Sequence, residues 1–397
     1  MLADANIPAA SDAFGRFGAV RLLAGRDLTR DSVAGADVLL VRSVTPVDAA
    51  LVEGTAVRFV GTATAGVDHV DRAALARLGI AFASAPGSNA TSVVEYVLAA
   101  LLGLAEAEGH DLMGATLGVV GAGAVGGRLV PRARALGLEV VVCDPPRAAA
   151  GHTDHDYRLL GEVLDRADIV TLHTPLTGPD GSPWPTHGLI GARELAAMKP
   201  GAWLVNAARG PVVDGPAVLA ARRSRRLGAL VLDCWPGEPA PDPALVDAAD
   251  IATPHIAGYS AEGKLNGTEM IESALRAWVA RQGAGGVPPW AGPPPPPARE
   301  VGSATVGLPG PRANGLERTR WLARLGRGAY AVWDDDHRFR TAMAAAGPDA
   351  AARAVAFAEL RRTYPTRHEN AAFVVRGSVP PDLRRAVTEG LGMRIEP

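Results

Sequence analysis

Cysteine is nearly absent. Among 397 residues only Cys143 and Cys234 occur. They lie far apart and form no CxxC pair. Neither a disulfide framework nor a metal site is indicated, and a reducing cytoplasm fits. Aromatic residues make up 5%, so the core is expected to be built from Val, Leu, Ile and Ala. Charge of one sign is also lacking. The formal net charge of −2 gives no global field to recruit nucleic acid or an acidic membrane. No apolar run is expected to approach the roughly twenty residues of a membrane span. The start, "MLADANIPAA", has no basic region followed by an apolar core and is not read as a secretory signal. What the chain does have is length, enough for two or three domains. Its hydrophobic share of 48% and charged share of 21% are ordinary for a globular protein.

Strand-like and helix-like patterns alternate from the beginning. "ADVLLVRS" (36–43) and "VRFVGTAT" (57–64) are short apolar runs with β-branched residues. "DRAALARLG" (71–79) has helical spacing and ends on glycine, a C-cap signal. "TSVVEYVLAALLGLAEA" (91–107) predicts a long apolar helix capped by Thr91 or Ser92. Later, "RADIVTLHTPL", "GAWLVNAARG", "GALVLDCW" and "ADIATPHIAG" each predict a strand ending in a polar cluster. The alternation implies a parallel α/β architecture. In an open parallel sheet, ligands bind at the carboxyl ends of the strands. The chain starts inside what should be its first strand, so a shortened or misassigned start is expected. Near Val287 the composition changes. "VPPWAGPPPPPARE" (287–300) cannot form a helix or a central strand and is read as part of a linker. Beyond it, "GLERTRWLARLGRGAYAVW", "FAELRRTY" and "PPDLRRAVTEGLG" predict helices and "AAFVVRG" a strand. Together they form a small α/β module of about 85 residues.

Gly121, Gly123 and Gly126 form GxGxxG, with Ala124 and Val125 completing the turn. Alone the pattern is weak in a glycine-rich chain. Its context is specific: the strand "TLGVV" precedes it, a helix ending at Gly137 follows, and the next strand, "EVVVCD", closes on Asp144. This is the dinucleotide arrangement. Gly121 permits the tight turn, Gly123 lets the backbone approach a pyrophosphate, and Gly126 lets helix and strand pack closely. The helix N-terminus then offers unpaired N–H groups to the phosphates. Asp144 is expected to bind the adenosine ribose hydroxyls and to repel a 2′-phosphate, favouring NAD over NADP. Arg147, three residues on, could soften that preference.

Three further side chains suggest chemistry. Arg209 follows a strand in "VNAARGPVVD". The plain reading is an exposed ion-pairing arginine. Beside a nicotinamide, the same guanidinium could hold a substrate carboxylate in a two-pronged grip. Glu238, in "LDCWPGEP", follows the next strand, and His255, in "TPHIAG", the one after. A histidine among apolar residues is more often a packing group. A carboxylate against it would instead fix one tautomer and favour the imidazolium, giving a general base near neutral pH.

The glycine motif with its acid, then "HTPL" (173–176), "NAARGPVVD", "DCWPGEP" and "TPHIAG", come in an order that resembles the D-2-hydroxyacid dehydrogenase family. Arg209, Glu238 and His255 match that family's catalytic Arg/Glu/His set. "VRSVT" (41–45), "FVGTATAGVDHVD" (59–71), "APGSNATSVVEYV" (85–97), "CDPPRA" (143–148) and "TPHIAGYSAEGK" (253–264) resemble the branch that acts on a 4-phosphorylated four-carbon sugar acid. The tail resembles that branch's dimerisation domain at "YAVWDDD" and "ELRRTYPTRHE". The resemblance implies a Rossmann-type NAD-binding domain (93–257) inserted in a flavodoxin-like substrate domain (1–92 and 258–286). A linker (287–312) and a small C-terminal α/β dimerisation domain (313–397) would follow, giving a cytoplasmic homodimer. It implies NAD-dependent oxidation of 4-phospho-D-erythronate to 2-oxo-3-hydroxy-4-phosphobutanoate, on a route to pyridoxal 5′-phosphate. His255 would be the base, Glu238 its support and Arg209 the carboxylate binder. Ser43, Thr64 and Tyr259 match substrate positions. Asp144, Thr174, Ala207, Ala208, Asp233 and Gly258 match cofactor positions, with Asp233 a candidate for the nicotinamide carboxamide. For the 4-phosphate, Arg42 is the first candidate. Arg367 in the tail is the second, reaching a neighbouring subunit's site. Two alternatives stay open: another D-2-hydroxyacid dehydrogenase, for instance one acting on phosphoglycerate, or a non-catalytic NAD-sensing regulator on the same fold.

Overall fold

The computed structural model describes residues 1–283, 287–294, 298–302 and 314–396. Residues 295–297 and 303–312 of the expected linker lie outside the described residues. The chain divides into two compact units, Met1–Ala90 with Tyr259–Pro296, and Thr91–Gly258 with Pro297–Pro397.

The first unit holds strands β1 (Leu2–Asp4), β2 (Arg21–Leu23), β3 (Val38–Val41), β4 (Phe59–Thr62) and β5 (Ala81–Ser84). All pair in parallel, in the order β2-β1-β3-β4-β5, which is the flavodoxin-like order. Alternation along each strand builds two apolar layers. Leu2, Leu39, Val41 and Val60 face one cluster, while Ala3, Val38, Leu40 and Phe59 face the other. Helix Ala261–Arg281 covers the second layer with Ile271 and Leu275. It lies so close that a Cβ on Gly61 would sit 2.6 Å from the Ile271 side chain. The strand order reverses between β1 and β3, so their carboxyl ends frame the unit's crevice.

The second unit is built on β6 (Thr116–Val120), β7 (Glu139–Cys143), β8 (Ile169–Leu172), β9 (Ala202–Asn206), β10 (Leu227–Leu232) and β11 (Ile251–Ala252). The parallel order is β11-β10-β9-β8-β6-β7. A lone bridge from Val142 to Tyr157 extends the β7 edge. Every residue of β8 and β9 is buried, as expected of strands covered on both faces. The order reverses between β6 and β8, placing the glycine turn at the switch point.

The tail belongs to this same unit. Helices Gly315–Arg327, Val332–Ala346 and Ala350–Arg362 accompany a parallel sheet of β12 (Arg299–Gly302), β13 (Phe373–Arg376) and β14 (Arg394–Glu396). β12 lies at the edge of its sheet and begins within the stretch expected to form no helix or central strand. The proline run ends at Pro297, and the residues after it again carry N–H groups and serve an edge position. Helix Val332–Ala346 covers the short β11 edge. Asp336 accepts the Ala252 N–H at 2.8 Å, and Arg340 donates to the carbonyls of Val246 and Ala249. Phe339, Met343 and Phe357 join the main core, with the Phe339 ring 5.4 Å from that of Trp235.

Two smaller expectations are revised. Helix Ala90–Glu108 begins before Thr91 and Ser92, so neither caps it, and the Ser92 hydroxyl instead donates to Glu369 at 2.8 Å. By length and composition alone this helix could cross a membrane, contrary to the sequence estimate, but 72% of its apolar window is buried inside the protein.

Candidate active site

The glycine turn can be tested position by position. Gly121 has φ +91°, and a Cβ there would lie 2.7 Å from the His173 carbonyl oxygen. A Cβ on Gly126 would collide with the carbonyl oxygen of Gly121. Gly123 faces open space, with nothing within 4 Å of a Cβ. So two glycines are required by packing, while the third leaves room for a ligand. Ala124 and Val125 lead into helix Gly126–Ala135, whose start has no side-chain cap, which leaves N–H groups for an anion. Beside Gly121, the Thr174 hydroxyl is buried without a hydrogen-bond partner among the described residues. A buried polar atom left in that condition normally awaits a ligand or water. The residues therefore fit a dinucleotide.

Asp144 ends β7. Its Oδ2 accepts the Ala122 N–H at 2.8 Å and its Oδ1 the Arg147 N–H at 3.0 Å, so its carboxylate is fixed against the turn. The Arg147 guanidinium is engaged by the Tyr157 hydroxyl at 2.9 Å and by Asp154 at 3.0 Å. These partners hold the guanidinium on the Tyr157 side of the β7 edge.

Arg209, Glu238 and His255 stand after β9, β10 and β11, which are neighbours in the sheet. Both Glu238 oxygens meet His255 Nδ1, at 3.0 and 3.1 Å. Among the described residues no group bonds to Nε2. Burial alone would raise the Glu238 pKa. The His255 charge and hydrogen bond, with Arg361 and Arg209 behind them, outweigh burial and hold it below its usual value. Arg209 Nη1 bonds back to the Ala208 carbonyl at 2.8 Å, and the Ala208 N–H meets Asn206 at 3.1 Å. Ala207 and Ala208 thus form a tethered backbone turn.

His255 has φ +56°, a left-handed backbone that costs a non-glycine residue about 1–2 kcal/mol. Asp233 holds it there. The Asp233 carbonyl accepts the His255 N–H at 2.7 Å. The Asp233 carboxylate accepts the N–H groups of Ile256 and Ala257 and the Thr253 hydroxyl, at 2.7, 3.0 and 2.7 Å. Asp233 is 1% exposed, and burial raises its pKa against the pull of His255 and these donors. The carboxylate expected at the nicotinamide thus also anchors the His255 loop: three donors occupy three of its roughly four acceptor positions, two on Oδ1 and one on Oδ2.

Arg367 requires a correction. It is buried in its own chain. Its Nη2 donates to the carbonyls of Ala257 at 2.6 Å and Ser92 at 2.9 Å, and its guanidinium lies 4.4 Å from the Tyr330 ring centroid. These contacts all lie within its own chain, where the expectation had it reaching a neighbouring subunit's site. Sequence reasoning missed Arg361, which acts on Glu238, and Tyr96, whose hydroxyl lies 2.6 Å from that of Thr253. Tyr96 and Thr253 are 157 positions apart, and no local motif marks such a pair.

The remaining expected residues are in the first unit or at its border. Arg42 and Ser43 follow β3 at the switch point, with Arg42 Nη1 3.3 Å from the Asn6 carbonyl. Thr64 follows β4 and bonds the Thr62 hydroxyl at 2.8 Å. Tyr259 carries the Lys264 ammonium 4.8 Å from its ring centroid. Gly258 closes the first segment of the second unit.

A protein-family model for the D-isomer specific 2-hydroxyacid dehydrogenase NAD binding domain matches residues 101–257. An erythronate-4-phosphate dehydrogenase of Salinibacter ruber is 51% identical, over 100% of this chain and 99% of its own length. The chain belongs to the erythronate-4-phosphate dehydrogenase family. The Azotobacter vinelandii member of that family is 46% identical over 99% of this chain. Among solved structures, a Thermus thermophilus protein aligns at 30% identity and TM-score 0.59, covering 71% of this chain and 96% of its own. The NAD+-bound 3-phosphoglycerate dehydrogenase of Entamoeba histolytica aligns at TM-score 0.61 and 22% identity over 71% of this chain. At that identity the likeness speaks for fold alone. The family relatives match the tail as well as the rest of the chain.

Proposed function

We propose that this chain oxidises 4-phospho-D-erythronate at C2, giving 2-oxo-3-hydroxy-4-phosphobutanoate, on a route to pyridoxal 5′-phosphate. One observation carries the mechanism: the two-oxygen grip of Glu238 on His255 Nδ1. It fixes the proton on Nδ1 and leaves Nε2 as the acceptor for the 2-hydroxyl proton. NAD, when bound, accepts the hydride from C2. Glu238 remains ionised and stabilises the imidazolium that forms. Arg209 binds the substrate carboxylate.

Gly121, Gly123, Ala124, Val125 and Gly126 cradle the pyrophosphate, and Asp144 takes the ribose. Thr174, Ala207, Ala208 and Gly258 complete the cofactor contacts. Ser43, Thr64 and Tyr259 contact substrate. Arg42, at a strand-order switch point, is assigned the 4-phosphate. The chain acts in the cytoplasm as a homodimer through its tail, a state that sedimentation would check.

The deciding assay compares NADH formation from 4-phosphoerythronate, 3-phosphoglycerate and lactate, with a 2-oxoacid added in parallel to capture NADH that stays bound. Preference for 4-phosphoerythronate, lost in His255→Ala, supports the reading. Preference for another acid removes the substrate assignment, and no turnover with any of them removes the enzymatic reading.

A further inference from the structure

One arginine of the tail does not face outward. Arg367 is 7% exposed and reaches the loop that carries His255. Its Nη2 joins the Ala257 carbonyl, two residues after His255, to the Ser92 carbonyl near the start of helix Ala90–Glu108. Tyr330 lies beneath its guanidinium, and Asp335 accepts the hydroxyls of Tyr330 and Tyr364 at 2.7 and 2.8 Å. Glu369, two residues on, takes the Ser92 hydroxyl, and the Asn370 N–H donates to Glu95 at 2.9 Å. The tail therefore grips both the catalytic loop and the helix beside it.

We infer that Arg367 is a positioning residue for the proton-transfer loop, so that the tail completes the active site of its own chain rather than serving only to join subunits. The inference rests on the proposed acid–base role of His255. The physical reasoning is short. His255 occupies a left-handed backbone that a free loop would abandon. Asp233 restrains that loop through its N–H groups, from inside the sheet. Arg367 restrains the same peptide segment through a carbonyl, from the opposite partner class. A loop tied at both its donors and its acceptor keeps Nδ1 against Glu238. With the carbonyl tie removed, the imidazole samples other positions and proton transfer suffers, since a displacement of about 1 Å can cost about a hundredfold.

The test uses the full-length chain with Arg367→Met, which keeps length and loses the donors, and Arg367→Lys, which restores charge and one donor. Steady-state kinetics are normalised to NAD-binding sites, so misfolded protein does not count. The expected result for Arg367→Met is a kcat at least about tenfold lower, with KM for 4-phosphoerythronate little changed. Arg367→Lys recovers part of it. A second readout needs no substrate. In 15N-histidine-labelled protein, the downfield Nδ1 proton of His255 should be present in the native chain and in Arg367→Lys, and absent in Arg367→Met. Wild-type kcat per site with that proton retained in Arg367→Met overturns the inference. So does a KM rise specific to phosphorylated over unphosphorylated erythronate, which would make Arg367 a phosphate ligand. If the native chain fails to turn over 4-phosphoerythronate yet the proton signal responds as expected, the substrate reading has failed and the positioning role stands.

Discussion

Replacing Glu238 by Gln keeps the side chain's shape and removes its charge. The size of the effect follows from the geometry. Two unit charges 3.0 Å apart attract by about 5.5 kcal/mol at an effective dielectric constant of about 20. The His255 and Glu238 side chains are 29% and 25% exposed, so solvent screens part of this. A hydrogen bond to a charged group contributes about 1.5–3 kcal/mol net. Glutamine still offers a carbonyl oxygen to Nδ1, which puts the loss near the lower end. About 2 kcal/mol corresponds to a kcat about 30-fold lower, with KM little altered, because the imidazolium exists only as the proton moves. The assay is initial-rate NADH formation from 4-phosphoerythronate at saturating NAD. A loss under about threefold, below roughly 0.7 kcal/mol, or one confined to KM, would refute the reasoning. The same pair predicts a stability effect. A carboxyl held below its unfolded value stabilises the fold above that value, near pH 4.3, and the contribution is lost as pH falls through the folded value. The melting temperature of the native chain should therefore exceed that of Glu238→Gln at neutral pH, and the gap should close in acid.

Three other perturbations follow from particular contacts. Gly126→Ala would drive a methyl into the Gly121 carbonyl; we expect roughly 1–3 kcal/mol of destabilisation and NAD binding at least about tenfold weaker by fluorescence titration. Glu95, raised to about 7 by burial against the opposing pull of Arg132, binds its proton more tightly folded than unfolded. Stability therefore falls as pH rises from its unfolded value towards 7, by at most about 3.5 kcal/mol, and melting curves of Glu95→Gln should show a shallower decline over that window. Phe339→Ala would open a cavity between the tail and the Trp235 side of the sheet; urea denaturation should show a loss of about 3–5 kcal/mol, and a loss below about 1 kcal/mol would mean the tail is only loosely applied.

Much of the architecture is local and could be read directly. The glycine turn is one example: Gly126 is required by contact within a single strand–turn–helix and Gly121 by the left-handed backbone of the turn itself, so their spacing announces them, although the close approach of His173 to Gly121 is tertiary. The polar groups ending β8, β9, β10 and β11 were legible for the same reason, since each strand and its terminal cluster are contiguous. The proline-rich stretch marked where no helix or central strand forms, but a proline run says nothing about the residues just past it, where the edge strand β12 begins.

Other decisions belong to the tertiary structure alone. Whether His255 packs or faces a carboxylate depends on Glu238, seventeen positions away, and only parallel pairing of the intervening strands brings them together. Asp233 reads in sequence as a residue open to ligand. Three internal donors claim its carboxylate, and none is announced by spacing. Arg367 reads as a free cation in a tail, yet the fold buries it against Ser92 and Ala257, 275 and 110 positions away. Backbone conformation and periodicity are set by neighbours in the chain, so the sequence by itself determined the elements and the chemistry available at their ends. The partner of a buried charge is set by neighbours in space, and only folding decides which they are.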